Sequence, residues 1–325
     1  MRLLEVKDLK TYFTTSKGKA KAVDGVSFSL DYGQCLGLVG ESGCGKTTTA
    51  LSICHLLPKE GKVESGQILM EGIDYGTLSE EEIMKHRWED VSIIFQGAMN
   101  AFNPVKKVGW QIAEACILHQ GMSKEEAWKR AGDLFEMVGI ARERVSQYPH
   151  EFSGGMKQRA MIAMALACNP KLIIGDEPTT ALDVMIQAQI LELLEKLRKE
   201  LNMGMILITH DLSILSETCD KIAVMYAGKI AEMGTVDDIF NHPMHPYTKK
   251  LLACFPNISS GSRVIPEGIP GYPPSLIDPP EGCRFCPRCS ESTGICSQKE
   301  PEYIQAGPEH FVSCHLCGEG GEYHG

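Results

Sequence analysis

No apolar run in this chain approaches the roughly 18 to 20 residues that a helix needs to cross a bilayer, and the opening MRLLEVKDLK has no signal-peptide apolar core. Both absences predict a cytosolic protein, one that can still sit on a membrane partner. A basic excess is missing too: 32 Lys and Arg stand against 42 Asp and Glu, a net charge of −10. Nucleic acid is therefore a poor default partner. Cysteine, by contrast, is plentiful. Of thirteen cysteines, six fall between Cys283 and Cys317. Without a secretory signal, such a cluster reads as metal ligands before disulfides. A length of 325 residues suggests one large domain or two ordinary ones.

The most informative stretch is QCLGLVGESGCGKTTTA, Gln34 to Ala50. Gln34 to Val39 has strand length. Gly40 then opens a perfect G-x-x-x-x-G-K-[ST] match, and Thr48 onward reads as a helix start. Strand, glycine loop and helix in that order is the context a phosphate-binding loop requires. The glycines let backbone N–H groups turn inward around phosphate oxygens, and the helix start adds free N–H groups and a positive dipole end. Lys46 supplies a charge to the outer phosphates, and the Thr47 hydroxyl can ligate Mg²⁺.

Around this stretch the chain reads as alternating strands and helices. Leu3–Lys7 and Val23–Leu30 have strand spacing, with a turn at Lys17, Gly18 and Lys19; Gly66–Glu71 and Val91–Phe95 are further strands. One of Tyr12 and Phe13 can stack on a purine, although from spacing alone ordinary packing is the favoured reading. Gln96, at a strand end, can ligate metal or simply be solvated. Ser79 with Glu82, and Ser123 with Glu126, form capping boxes. Ala127, Ala131, Leu134, Phe135 and Val138 lie on one helical face. The stretch from 97 to 164 therefore reads as a helical insertion. It closes with Phe152, Ser153, Gly154, Gly155 and Met156, another anion-ready helix start.

KLIIGDE, Lys171 to Glu177, is an apolar strand running into two acids, the Walker B pattern. Asp176 would hold Mg²⁺, and Glu177 would polarise the attacking water. Thr180, Ala181, Leu182 and Asp183 lead into a helix over Val184–Leu201 with 3.6-residue spacing. A strand over Met205–Thr209 ends at His210, on the strand edge where ligands gather in parallel sheets. Lys221–Tyr226 and Lys229–Met233 read as a strand pair around Ala227 and Gly228.

Gly40–Thr47, Gln96, Ser153–Gln158, Asp176 with Glu177, Thr180–Asp183 and His210 follow the order and spacing of ATP-binding cassette (ABC) ATPases, which the chain resembles over nearly its whole length. YPHEFSGGMKQR, DEPTTALDV and HPYTKKLL look like the ATPase subunits of dipeptide and oligopeptide importers; nickel-importing relatives share most of these features. The resemblance implies an α/β fold: a P-loop NTPase core with a mixed sheet, an antiparallel β subdomain and a helical subdomain, plus a small cysteine-rich extension. Residues 1–252 would form the ATPase domain, with the helical part near 97–164, and residues 253–325 a Pro-rich linker and metal-binding extension. Phe13 would stack on adenine, with Tyr12 as alternate. Gly40, Glu41, Ser42, Gly43, Cys44, Gly45, Lys46, Thr47 and Thr48 would bind phosphates. Thr47, Gln96 and Asp176 would hold Mg²⁺, Glu177 would be the general base and His210 the switch. Ser153, Gly154, Gly155 and Met156 would reach the γ-phosphate on a partner ATPase, flanked by the D-loop at Ala181, Leu182 and Asp183. Phe-Ser-Gly-Gly-Met departs from the general Leu-Ser-Gly-Gly-Gln, which suggests a heterodimer of paralogous ATPases. Further partners would be two membrane permease subunits, contacted through Gln96 and residues 97–104, and indirectly a substrate-binding protein. The chain would sit peripherally on the cytoplasmic face of the membrane.

The prolines from Pro256 to Pro280 read as linker chemistry. Beyond them, pairing Cys286 and Cys289 with Cys314 and Cys317 would suit a zinc ribbon. The resemblance instead places Cys283, Cys289, Cys296 and Cys314 around a 4Fe–4S cluster of structural role, with zinc the alternative. The phosphate loop is expected to lie in a core independent of this segment. A soluble cassette ATPase acting on DNA or ribosomes, or a redox-responsive regulator, is the other function class. The single motif set and acidic balance disfavour it.

Overall fold

The computed structural model describes residues 2–97, 101–180, 182–254 and 268–318. Its strands are β1 (Arg2–Thr15), β2 (Gly18–Asp31), β3 (Cys35–Val39), β4 (Gly61–Met70), β5 (Ile73–Asp74), β6 (Val91–Ile94), β7 (Leu172–Asp176), β8 (Gly204–Ile208), β9 (Lys221–Tyr226), β10 (Lys229–Thr235), β11 (Ile304–Gln305) and β12 (Phe311–Val312). Its helices are α1 (Lys46–Ile53), α2 (Glu80–His86), α3 (Val108–Gln120), α4 (Lys124–Met137), α5 (Gly154–Ala165), α6 (Val184–Leu201), α7 (Leu212–Thr218), α8 (Val236–Asn241) and α9 (Pro246–Ala253). They fall into two compact units. One comprises residues 1–5, 29–35 and 69–208, the other residues 6–28, 36–68 and 209–325.

In the first unit β6, β7 and β8 run parallel, with Leu172 opposite both Val91 and Gly204. Every residue of β7 and β8 is buried. Strands covered on both faces read as continuous apolar runs, not as alternation, which is why LIIGD and GMILI stand out in the sequence. The capping boxes at Ser79 with Glu82 and at Ser123 with Glu126 form at the starts of α2 and α4. Along α4, Ala127, Ala131, Leu134 and Phe135 are fully buried. Phe135 meets Phe152 edge-on at 6.0 Å. Burying the Leu134 and Phe135 side chains contributes about 1.5–3 kcal/mol each, which holds α4 beside the loop that leads into α5.

In the second unit β3 runs parallel to β9, and β9 pairs antiparallel with β10. The β9–β10 turn falls at Ala227 and Gly228, both with positive φ. Beyond α9 the chain returns to this sheet: β12 pairs with β10, placing Val312 opposite Glu232, and β11 pairs with β12. Val312 is fully buried and packs with Ala306 and Cys317. The described part of the Pro-rich stretch is likewise tied down. The Lys21 N–H donates to the Leu276 carbonyl at 2.8 Å, and Ile277 lies against Gly18. Of the prolines here, Pro274, Pro279 and Pro280 are half-buried and Pro270 and Pro273 exposed; Pro256 and Pro266 lie outside the described residues. The phosphate loop and the cysteine segment fall in the same compact unit.

Candidate functional site

The loop from Gly40 to Gly45 connects β3 to α1. At Gly40 (φ 150°) a Cβ would lie 2.1 Å from the Met225 carbonyl, and at Gly45 (φ 108°) 2.3 Å from that of Ala22. Those contacts are backbone and cannot give way, so only glycine fits. Gly45 precedes α1 without a side-chain cap. The first N–H groups of that helix are therefore available to an anion. Lys46 is buried, and its Nζ donates to the carbonyls of Gly40 at 2.7 Å and Glu41 at 3.1 Å. A cation held by neutral carbonyls beside a helix start is poised to exchange those contacts for phosphate oxygens. Cys44 is buried beside it, its Sγ 3.7 Å from Nζ, and burial raises its pKa. Ser42, Gly43 and Thr47 are exposed, as residues facing a soluble ligand must be.

Two supports of this loop escaped sequence reasoning. The hydroxyl of Tyr247, a fully buried residue of α9, accepts the Glu41 N–H at 3.0 Å. The Glu41 carboxylate is gripped by Arg288, at 2.6 and 3.0 Å. Tyr247 is held in turn by its own N–H, which donates to His245 Nδ1 at 2.9 Å. Burial lowers the His245 pKa to about 4, so its ring is neutral and able to accept. Glu232, fully buried, accepts the Met244 and His245 N–H groups. The HPYTKKLL stretch is thus a brace under the phosphate loop.

Tyr12 and Phe13 end β1 differently. The Tyr12 hydroxyl donates to Asp24 at 2.6 Å, and Asp24 also pairs with Arg284, a buried residue of the cysteine segment. Burial, then the Asp24 hydrogen bond, pushes the Tyr12 pKa up. The Phe13 ring lies alongside Gly61 and its hydroxyl-free face carries no such tether. His210 is exposed, directly after the buried Thr209.

In the other unit Asp176 is buried at the end of β7. Glu177 follows with φ 48°, a left-handed conformation that costs a non-glycine residue about 1–3 kcal/mol and clusters at functional sites. The Ile208 carbonyl accepts its N–H at 2.9 Å. Its carboxylate accepts from Gln96 Nε2 at 2.7 Å and from the Thr180 hydroxyl at 2.9 Å. Gln96 and Glu177, 81 positions apart, are therefore brought together. Ser153 caps α5, accepting the Met156 N–H at 3.3 Å. Gly155 leaves room for Ile186, 2.9 Å from where its Cβ would be. Asp183 caps α6 through the Ile186 N–H. Leu182 precedes it, while Ala181 lies outside the described residues, as do 98–100 of the expected permease-contact loop.

In the cysteine segment the Cys283 N–H donates to the Cys296 carbonyl at 2.8 Å, and short turns follow at Cys286 and Cys289. At Gly282 a Cβ would come within 2.3 Å of that same carbonyl. The Cys283 thiol is pushed up to about 12 by burial, with Cys314 and Cys296 adding negative potential. Cys289 is raised by burial and by the same two cysteines. Cys286 is raised by burial, with Cys296 the only neighbouring charge. Cys283 and Cys289 thus each lie within electrostatic reach of Cys296 and Cys314. A set of four soft thiols suits iron–sulfur or zinc chemistry. Among the described residues, no three His, Cys, Asp or Glu side chains are placed around a single metal ion. Cys314 instead hydrogen-bonds Cys317.

A family profile described as "ABC transporter" matches residues 23–180, and one described as "Oligopeptide/dipeptide transporter, C-terminal region" matches 231–296. The oligopeptide transport ATP-binding protein OppD of Bacillus subtilis is 50% identical over 318 residues, 97% of this chain and 89% of that protein. The dipeptide transport ATP-binding protein DppD of the same organism is 47% identical, covering 99% of this chain and 97% of its own length. The chain belongs to the oligopeptide/dipeptide group of ABC transporter ATP-binding proteins. Its ABC fold is also that of solved cassettes. The cassette MJ0796, in a dimeric post-hydrolysis state bound to ADP and Pi, superposes with a TM-score of 0.64 at 27% identity, covering 72% of this chain and 98% of that one. CbiO1 from Clostridium perfringens gives the same TM-score at 30% identity, covering 74% and 91%. This ABC protein has no helix, among the described residues, long and apolar enough to cross a membrane.

Proposed function

We propose that this chain is the ATP-hydrolysing subunit that energises import of dipeptides or oligopeptides through a membrane permease. The observation that carries this reading is near full-length similarity to peptide-transport ATP-binding proteins, extending through the C-terminal region beyond the cassette. Gly40–Thr48 bind the triphosphate, Phe13 stacks on adenine with Tyr12 as alternate, and Lys46 moves from its carbonyls to the outer phosphates. Thr47, Asp176 and Gln96 hold Mg²⁺, which neutralises charge on the transferring phosphoryl group. Because the Gln96 amide N–H is committed to Glu177, its Oε1 is the atom for the metal. Glu177 polarises the attacking water, and Gln96 and Thr180, which both donate to its Oε2, orient the carboxylate. His210 acts as the switch beside the γ-phosphate.

Ser153, Gly154, Gly155 and Met156 complete the site of a paralogous ATPase, with Ala181, Leu182 and Asp183 alongside. ATP thereby holds two subunits face to face, and hydrolysis releases them. The exposed Val184 and Met185, next to the D-loop, suit a surface that closes against a partner. The complex carries two permease subunits, receives substrate from a binding protein, and places this chain on the cytoplasmic face.

Cys283, Cys289, Cys296 and Cys314 hold a 4Fe–4S cluster, which supplies a covalent staple to the segment after Pro280. The Cys283 N–H on the Cys296 carbonyl, with Cys296 and Cys314 acting on both Cys283 and Cys289, supports this set; the zinc ribbon of Cys286, Cys289, Cys314 and Cys317 is the alternative. Ligation requires thiolates, so loading would release protons.

Purified alone, the subunit should bind ATP, hydrolyse it slowly and remain largely monomeric. Adding the paralogous ATPase and permease should raise turnover. A tight ATP-dependent homodimer with full, substrate-stimulated activity would contradict the heterodimer.

A further inference from the structure

We propose that Arg288 is a positioning residue of the phosphate loop, so that the cysteine segment is a working part of the ATP site. The inference rests on the ATP-binding reading of Gly40–Thr48. Arg288 is buried, and every one of its N–H groups is committed. Two go to opposite oxygens of Glu41, at 2.6 and 3.0 Å. Others go to the Pro270 carbonyl at 2.8 Å, the Ile269 carbonyl at 3.2 Å and the Tyr226 hydroxyl at 3.1 Å. The guanidinium also lies over the Tyr226 ring, 5.8 Å from its centroid. A planar fork this fully engaged holds one geometry.

Its partner is the first variable residue of the phosphate loop. Glu41 brings a carboxylate to a loop whose task is to receive an anion. The bidentate pair neutralises that charge and fixes the side chain, while Tyr247 fixes the same residue's N–H. Without Arg288, the Glu41 carboxylate would be free to face the incoming phosphates as a like charge. At separations of about 6 Å and an effective dielectric near 20 that repulsion amounts to roughly a hundredfold in affinity, and screening by salt brings it to roughly tenfold. Arg288 lies between Cys286 and Cys289, at the end of a single turn spanning Cys286–Arg288. Whatever holds those cysteines therefore holds the arginine that sets the loop.

The test is equilibrium binding of fluorescent ATP and AMP to the full chain, for the unchanged protein and for Arg288→Ala, Arg288→Lys and the double variant Arg288→Leu/Glu41→Gln, with folding checked by circular dichroism. Arg288→Ala should weaken ATP roughly tenfold and AMP much less, because the penalty grows with phosphate charge. Arg288→Lys should lie between, and the double variant should recover most of the lost ATP affinity. ATP binding by folded Arg288→Ala equal to the unchanged chain would overturn the proposal. Equal losses for ATP and AMP, or a double variant as weak as the single one, would overturn it too, by assigning Arg288 to packing alone. Should Arg288→Ala not fold, Arg288→Lys and the double variant decide by the same criteria. An unchanged chain that binds no ATP would instead overturn the reading of the loop, and this inference with it.

Discussion

The phosphate loop and the cysteine segment are both short stretches punctuated by residues of special chemistry, but they are ordered by different means. The loop is shaped largely from within. Gly40 and Gly45 adopt backbone angles that other residues resist, and Lys46 folds back onto carbonyls five and six positions away. The cysteine segment has short internal turns and is also anchored from a distance. Arg284 reaches Asp24, Arg288 reaches Glu41, and β12 joins β10. Breaking either buried ion pair by removing one partner costs on the order of 3–5 kcal/mol, because it strands a charge. A locally determined site is readable as a motif, whereas a site determined by distant anchors shows in sequence only as composition.

The largest effect should separate chemistry from binding inside the first region. Glu177→Gln should lower hydrolysis by roughly 10² to 10⁴-fold, leave ATP binding intact and trap the closed pair. Normal turnover in this variant, measured by phosphate release, would remove Glu177 from its role. Next, Lys46→Ala should weaken ATP binding roughly 10- to 100-fold, the range expected for losing charge-assisted hydrogen bonds; nucleotide titration checks it.

The second region gives a sharper contrast. Protein purified without oxygen should be brown, with roughly four irons and four sulfides per chain. Substituting Cys283, Cys289, Cys296 or Cys314 with serine should abolish the colour. Substituting Cys286 or Cys317 should leave most of it. One zinc per chain with no iron, or loss of metal on changing Cys286 or Cys317, would redirect the ligand set to the ribbon pairing. The smallest effect bears on the joint between the regions. The cysteine ligand variants should retain ATP binding but with affinity reduced by no more than the roughly tenfold set by Arg288. If their affinity is untouched, the segment and the loop are independent after all.

Much of the fold was legible because its signals are local. The continuous apolar runs of β7 and β8, the two capping boxes and the α4 stripe each declare an element within a dozen residues. The nucleotide loop was legible for the same reason. Tyr247 and Arg288 were not, since they meet Glu41 from 206 and 247 positions away and no spacing rule links them. HPYTKKLL stood out only by resemblance, and its physical role as a brace needed the contact to Glu41. The prolines of 270–280 show only that regular structure is discouraged there, and say nothing of where the stretch is tied down. Leu276 and Ile277, between them, bind the start of β2.

The most direct test is peptide uptake by the complete complex in liposomes, with ATP supplied on the side that carries this subunit. Hydrolysis should rise when binding protein and an oligopeptide or dipeptide are added, labelled peptide should accumulate, and both should vanish with Glu177→Gln. Hydrolysis that is indifferent to peptide, or that is coupled to nickel and not to peptide, would contradict the account.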